Sequence, residues 1–291
     1  MTDPIPPKRI FPTSKVDAQA AKHVPSSPQT EDPAYRLAFQ DNDFLLRPDL
    51  RPVRFQLELL KPELLLDEAE IGSTFVFYGS ARIPEPAKAD LLIAAATNDE
   101  QLLIANNLKA KSKYYDEARK LARLASRSDR DEEGKRHFVV CSGGGPSIME
   151  AANRGACDEG QESIGLNIVL PHEQLPNTFV TPSLSFQFHY FALRKMHFLL
   201  RARAIAVFPG GFGTFDEMFE LLTLIQTGKV RPMPVLLFGR EFWEKVIDFQ
   251  ALADEGVVSR HDLDLISWCE TAEEAWACVR NHYEEERDRD I

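Results

Sequence analysis

The sequence predicts an α/β fold, a doubly wound, mostly parallel sheet with helices on both faces. Three observations predict it. Strand-like and helix-like stretches alternate from residue 73 onward. Several of the strands are apolar throughout rather than alternating, as strands covered on both faces are. Glycine clusters follow two of those strands where a helix opens. With 291 residues and an ordinary apolar share of 44 %, the chain is long enough to bury a sizeable core.

Residues 1–72 read as a region apart from the body at 73–291. Nine of the 19 prolines fall within residues 1–52, a composition that orders poorly by itself, so 1 to about 45 is expected to be an extended arm. Tyr35, Phe39, Phe44, Leu45 and Leu46 give that arm apolar groups with which to dock on a body. Residues 57–70 read as short helical pieces broken at Pro62. The body opens on a β-branched and aromatic strand at 74–78, ending in a turn at Gly79 and Ser80. An Ala/Leu/Lys-rich stretch follows to residue 128, one or two helices with a break at 97–100. The alternation is then regular. Strands are expected at 137–141, 163–170, 204–208, 233–238 and 263–268. Helices are expected at 146–157, 188–201, 214–227, 241–253 and 271–286. Thr271 and Glu274 stand in capping-box spacing at the start of the last helix, and the charged run at 284–290 reads as a solvated end.

Charge and cysteine usage narrow the function. A net charge of −11, from 34 Lys and Arg against 45 Asp and Glu, argues against nonspecific nucleic-acid binding, which rests on cationic contacts to phosphates. It leaves room for a local anion site, because backbone N–H groups bind phosphate without a basic patch. No apolar run approaches the length of a membrane helix, and the first fifteen residues lack the apolar stretch of a secretory signal. Cys141, Cys157, Cys269 and Cys278 form no C-x-x-C pair and no zinc spacing with the histidines. The expectation is a reduced, cytoplasmic protein with no nucleic-acid, membrane or metal partner.

The two glycine clusters carry the chemistry. SGGGPS at 142–147 and PGGFGT at 209–214 each leave an apolar strand and open a helix, the place where open α/β sheets bind ligands. Glycine lets a ligand approach the bare backbone, and the helix that follows offers free N–H groups and the positive end of its dipole. The dinucleotide fingerprint G-x-G-x-x-G fails at both places, and no G-K-[ST] of a mononucleotide loop occurs near either. This is a phosphate cradle of another kind. In the helix after the second turn, Phe215, Met218, Phe219, Leu222 and Ile225 follow a buried stripe, while Asp216, Glu217 and Glu220 lie in its first two turns. Glu217 is three residues past Thr214, so spacing alone leaves open whether it is a catalytic carboxylate or a capping-box partner of Thr214. Upstream, Arg194 and Lys195 are adjacent and thus about 100° apart on a helix, so they cannot share a face. His189 and His197 read as satisfied or exposed helix histidines.

Taken together, SGGGPSIMEAANRG at 142–155, the Arg194–Lys195 pair and PGGFGTFDE at 209–217 resemble the Lonely-guy (LOG) family. Its members are phosphoribohydrolases of cytokinin riboside 5′-monophosphates, long mislabelled lysine decarboxylases. The hallmark P-G-G-x-G-T-x-x-E is matched in full, and the resemblance extends over roughly 75–283. It implies a Rossmann-like fold, a homodimer or larger homo-oligomer, no cofactor and no metal. By position, Arg194 and Glu217 match the family's catalytic pair. Gly210, Gly211, Phe212, Gly213 and Thr214 match its phosphate loop, while Gly79, Ser80, Gly143, Gly144, Gly145 and Lys195 match segments that bind the nucleotide. The implied reaction splits the N-glycosidic bond of a nucleoside 5′-monophosphate, AMP or a cytokinin riboside monophosphate, into free base and ribose 5-phosphate. A noncatalytic carrier resembling the molybdenum-cofactor carrier proteins is the alternative. The chain departs from short family members in its N-terminal region and in an insertion between Pro84 and Tyr115, both adjoining the first strand's exit.

Overall fold

The computed structural model describes residues 11–171 and 175–289; the head of the expected arm, residues 1–10, and the end of the charged tail, residues 290–291, lie outside them. The chain divides into two compact units, one up to Glu58 and the other from Leu59 onward. In the first unit, α1 (Ser14–Ala20), α2 (Pro28–Glu31) and α3 (Asn42–Leu45) are short helices, each started by a side chain that accepts a backbone N–H: Thr13, Ser27 and Asp41. The expected extended arm is thus a string of capped turns, because Ser, Thr and Asp satisfy helix-start donors locally.

α4 (Arg51–Glu68) runs through Pro62 without stopping, where the sequence predicted a break. Proline removes one hydrogen bond, and the turn beyond it is fastened from outside. The half-buried Arg201 guanidinium holds Glu63 at 2.9 Å and Asp67 at 2.8 Å, and donates to the Ile71 carbonyl at 2.6 Å.

The second unit is built on a seven-stranded sheet in the order β4-β3-β2-β1-β5-β6-β7, with every pair parallel. The strands are β1 (Thr74–Tyr78), β2 (Val139–Ser142), β3 (Ile164–Ile168), β4 (Ser185–Phe188), β5 (Ala202–Val207), β6 (Val235–Phe238) and β7 (Ser267–Cys269). This is the doubly wound parallel sheet expected. β4 was not anticipated: its Phe186 and Phe188 point inward, and they mimic the start of the helix that in fact begins three residues later.

The insertion forms α5 (Pro86–Ala94) and α6 (Asp99–Lys111), and α7 (Lys113–Ala125) follows. The break near residue 98 was expected, but a second falls at Ser112, whose hydroxyl donates to the Lys109 carbonyl at 2.7 Å and closes α6. The remaining helices are α8 (Ile148–Asp158), α9 (Phe191–Leu200), α10 (Phe212–Gln226), α11 (Arg240–Val246), α12 (Phe249–Asp254) and α13 (Ala272–Arg289). α11 and α12 replace a single expected helix, because Ile247 is extended and Asp248 caps a new start by accepting the Ala251 N–H at 2.9 Å. The expected strand from 263 begins only at Ser267, since a capping box between Ser259 and Asp262 winds Arg260–Leu265 into a 3-10 turn. The capping box of Thr271 and Glu274 forms as read, with bonds of 3.1 and 3.3 Å.

Alternation along the wholly buried β1 divides the core. Phe75 and Phe77 face a layer with Leu121, Ile148 and Phe238, while Val76 and Tyr78 face one with Phe198, Met218 and Trp243. No helix among the described residues is long and apolar enough to cross a membrane.

Candidate active site

The strand order reverses between β1 and β5, and the cleft outside their carboxyl ends is where such sheets bind ligands. Two backbone bonds hold the exits together: Phe208 N–H to the Tyr78 carbonyl at 2.8 Å, and Ser80 N–H to the Pro209 carbonyl at 3.1 Å. A cleft of about 660 Å³ lies over this junction. It is lined by Gly79, Ser80, Gly143, Arg194 and the run from Gly211 to Glu217, so three chain segments and one helix converge on it.

The second glycine turn is built to leave amides free. α10 begins at Phe212 with Gly211 as its N-cap, and no side chain caps it. The first intrahelical bond is Phe215 N–H to the Gly211 carbonyl at 3.1 Å. The N–H groups of Phe212, Gly213 and Thr214 therefore stand unpaired at the positive end of the dipole. Gly210 is required by packing, since a Cβ there would collide with the buried Thr214 side chain. The helix starts earlier than the sequence predicted, and this settles the capping question. Thr214 is the third helical residue and not the N-cap, so Glu217 has no capping box to serve. The expected apolar stripe shifts as well: Met218, Leu221 and Ile225 are buried, whereas Phe219 is 37 % exposed.

Glu217 is half-buried and forms no hydrogen bond or ion pair among the described residues. Burial pushes its carboxyl up to about 7, against the pull of Lys195 and Arg194 and with a push from Asp216 and Glu220. Arg194, on α9, donates from Nε to the Leu166 carbonyl at 2.8 Å and lies over the Phe198 ring at 5.2 Å. Its guanidinium crosses the bare face of Gly143, where a Cβ would stand 2.7 Å from Nη2. Burial lowers its pKa, opposed mainly by the Glu217 charge.

The remaining predicted residues separate. Lys195 turns away from the cleft and ties α9 to α10, its ammonium 2.8 Å from Asp216 and 2.7 Å from Glu220. Gly144 and Gly145 shape their turn by their carbonyls, which receive Asn177 at 2.8–3.1 Å, and Gly144 has the positive φ of +71° that favours glycine. Ser80 accepts the Arg82 N–H at 3.0 Å. His197 is buried on α9 with Nδ1 3.7 Å from Glu63, and His189 is exposed ahead of that helix; neither lines the cleft.

Sequence reasoning missed three contributors. Tyr78 lines the cleft with a buried hydroxyl that has no hydrogen-bond partner, and burial drives its pKa well above normal. Arg82 brings a second cation to the mouth. Asn153 joins Ser142, Ser163 and Asn177 at 2.7–3.0 Å beneath the first glycine turn. An asparagine amid the alanines of α8 was the signal for that network. Among the described residues no group of three or more His, Cys, Asp and Glu could hold a metal ion.

A family model described as possible lysine decarboxylase matches residues 149–279. The chain is 28 % identical over 153 residues to the cytokinin riboside 5′-monophosphate phosphoribohydrolase LOG2 of Arabidopsis thaliana, an alignment covering 51 % of this chain and 67 % of that protein. It is 26 % identical over 140 residues to LOG4 of the same plant, covering 47 % and 63 %. The chain thus spans about two thirds of the length of these curated relatives. Among solved structures, the molybdenum cofactor carrier protein of Chlamydomonas reinhardtii is similar at 16 % identity and a TM-score of 0.40, over 72 % of this chain and 97 % of that one.

Proposed function

We infer the function from a resemblance that the comparisons bear out, that of this chain to the LOG family. On that premise the protein hydrolyses the N-glycosidic bond of a nucleoside 5′-monophosphate, releasing free base and ribose 5-phosphate. The observation that carries the reading is Glu217: a half-buried carboxyl without a partner, in the same cleft as Arg194 and the unpaired amides of Phe212, Gly213 and Thr214.

The geometry suits the chemistry. A phosphate held by the helix N-terminus is bound through the part of the substrate that does not react, and that binding energy positions the ribose. Glu217 lies three residues beyond Thr214, about 4.5 Å further along the helix axis, which suits a sugar tethered to the cradled phosphate. As the C1′–N bond breaks, its electron pair leaves with the base and positive charge grows on the ribose, which an ionised Glu217 stabilises. Water adds its oxygen to C1′ and gives up a proton to Glu217, and that proton passes on to the departing base nitrogen, which regenerates the carboxylate. Arg194 keeps a fixed positive charge beside the site and favours the ionised form of Glu217.

The test is incubation of the purified protein with AMP and with isopentenyladenine riboside monophosphate, followed by chromatography for free base and ribose 5-phosphate. Release of base from either supports the reading, and Glu217→Gln is expected to lower kcat by about 10²-fold or more. No release from any nucleoside monophosphate overturns it; bound but intact nucleotide would leave a carrier.

A further inference from the structure

We propose that Tyr78 is a positioning residue for Glu217: when a sugar phosphate fills the cleft, the Tyr78 hydroxyl donates to the ionised carboxylate and fixes which of its oxygens faces the sugar. The inference rests on the hydrolase reading and deepens it. Tyr78 is the last residue of β1, where the strand enters the cleft, and only 5 % of its surface is exposed. Its hydroxyl is buried and has no hydrogen-bond partner among the described residues. A buried hydroxyl in that condition costs stability, and phenylalanine would fill the same place without the cost. The cost is explained if the donor is used in another state of the site.

The hydroxyl stands among the charged groups of the cleft. The Tyr78 ring meets Phe198 edge-on at 5.1 Å, and the Arg194 guanidinium covers the same Phe198 ring at 5.2 Å. After burial, the Glu217 charge is the largest influence on the hydroxyl and pushes its pKa up; Cys141 and Glu220 act the same way, and Arg194 acts against them. The phenol therefore stays protonated, and remains a donor, wherever Glu217 titrates. Burial holds the Cys141 thiol protonated too. The other groups around Glu217 are committed or repel it. Lys195 is spent on Asp216 and Glu220, and those two carboxylates oppose the Glu217 charge. Arg194 commits Nε to the Leu166 carbonyl. Glu217 itself is held by no partner, so its side chain is free to change rotamer when the cleft fills. An ionised carboxylate then gains most from a neutral donor that no other group has claimed.

The experiment uses Tyr78→Phe, which removes one oxygen and keeps the ring. A pH profile of kcat reads the loaded protein, and one of kcat/KM reads the free protein. Tyr78→Phe is expected to lower kcat for AMP at pH 8 by about tenfold and to move the acid limb of kcat up by about one pH unit. The limb of kcat/KM should stay near 7 in both proteins, and Tm should be equal or higher in the variant. A kcat limb in the same place in both proteins overturns the proposal. So does a lower Tm, which would mean that the hydroxyl already has a partner in the free protein. A second readout needs no turnover: NMR titration of isotope-labelled glutamate carboxyl carbons with ribose 5-phosphate bound, Glu217 being assigned by its loss in Glu217→Gln. The Glu217 midpoint is expected about one pH unit lower in the wild type than in Tyr78→Phe. Where no nucleotide is cleaved, the hydrolase reading falls and this midpoint alone decides; coincident midpoints overturn the role of Tyr78.

Discussion

A half-buried carboxyl group without a partner costs stability when it ionises, and Glu217 is such a group. Its folded value of about 7 lies above the ordinary 4.5, so the folded state holds the proton more tightly than the unfolded chain. Folding gains from this in full below about 4.5, and the gain is lost as pH rises through about 7. A permanently neutral Glu217→Gln should therefore be more stable than the wild type at pH 8 by up to about 3 kcal/mol and indistinguishable at pH 4; urea melts at the two pH values check this. In the proposed reaction the working form is the carboxylate, so kcat/KM for AMP should rise with pH along an acid limb centred near 7. Lys195→Met removes the charge that pulls the Glu217 carboxyl down and should move that limb to higher pH, which a pH profile of kcat/KM reads directly. At this scale the residue type and spacing were legible, and the role was not. Thr214 and Glu217 spell a capping box until the helix is seen to start at Phe212, and burial, which sets the proton affinity, has no signature in a single sequence.

At the scale of elements, legibility followed hydrophobic pattern and failed at local hydrogen bonds. β1 was read to the residue because five consecutive apolar or β-branched residues fill a strand buried on both faces. The break at Ser112, the cap at Asp248 and the passage through Pro62 each depend on one polar side chain whose partner is set by the fold. The three-glycine turns looked alike as sequence, but the second presents unpaired amides and the first is pinned through its carbonyls by Asn177. Close packing of α7 on α8 is the part of the motif that serves the scaffold. Gly155 is buried where a Cβ would collide with the Arg119 carbonyl and stand 2.7 Å from the Ala122 Cβ. Beside it, Arg119 holds Asp158 at 2.5 and 2.8 Å and fixes the spacing of the two helices. Gly155→Ala should thus destabilise by about 1–3 kcal/mol despite the roughly 1 kcal/mol that alanine gains in an isolated helix. Chemical denaturation reads the difference, and a stabilised variant would mean that the helices can part at no cost.

For the whole molecule, topology assembles the site from positions far apart in sequence. Gly79, Gly143, Arg194 and Glu217 meet because β1 is the strand from which the sheet grows in both directions. The alternation of strands and helices predicted such a sheet, but no local pattern states the order β4-β3-β2-β1-β5-β6-β7, and with it which strand ends become neighbours. The cleft draws its lining from one of the two units. Every residue lining the cleft and the smaller cavity beside it lies beyond Leu59, while the N-terminal unit ends within α4, whose last turns are held by Arg201. A chain beginning at Pro48 keeps α4 whole, with Glu63 and Asp67 in place to receive Arg201. It should retain kcat/KM for AMP within about twofold of the full chain, as expected when the residues removed supply no part of a site. Steady-state kinetics on the two proteins decide it. A loss of tenfold or more, with the melting transition unchanged, would show that the N-terminal unit takes part in catalysis, and the site would then need a contribution that the body does not contain.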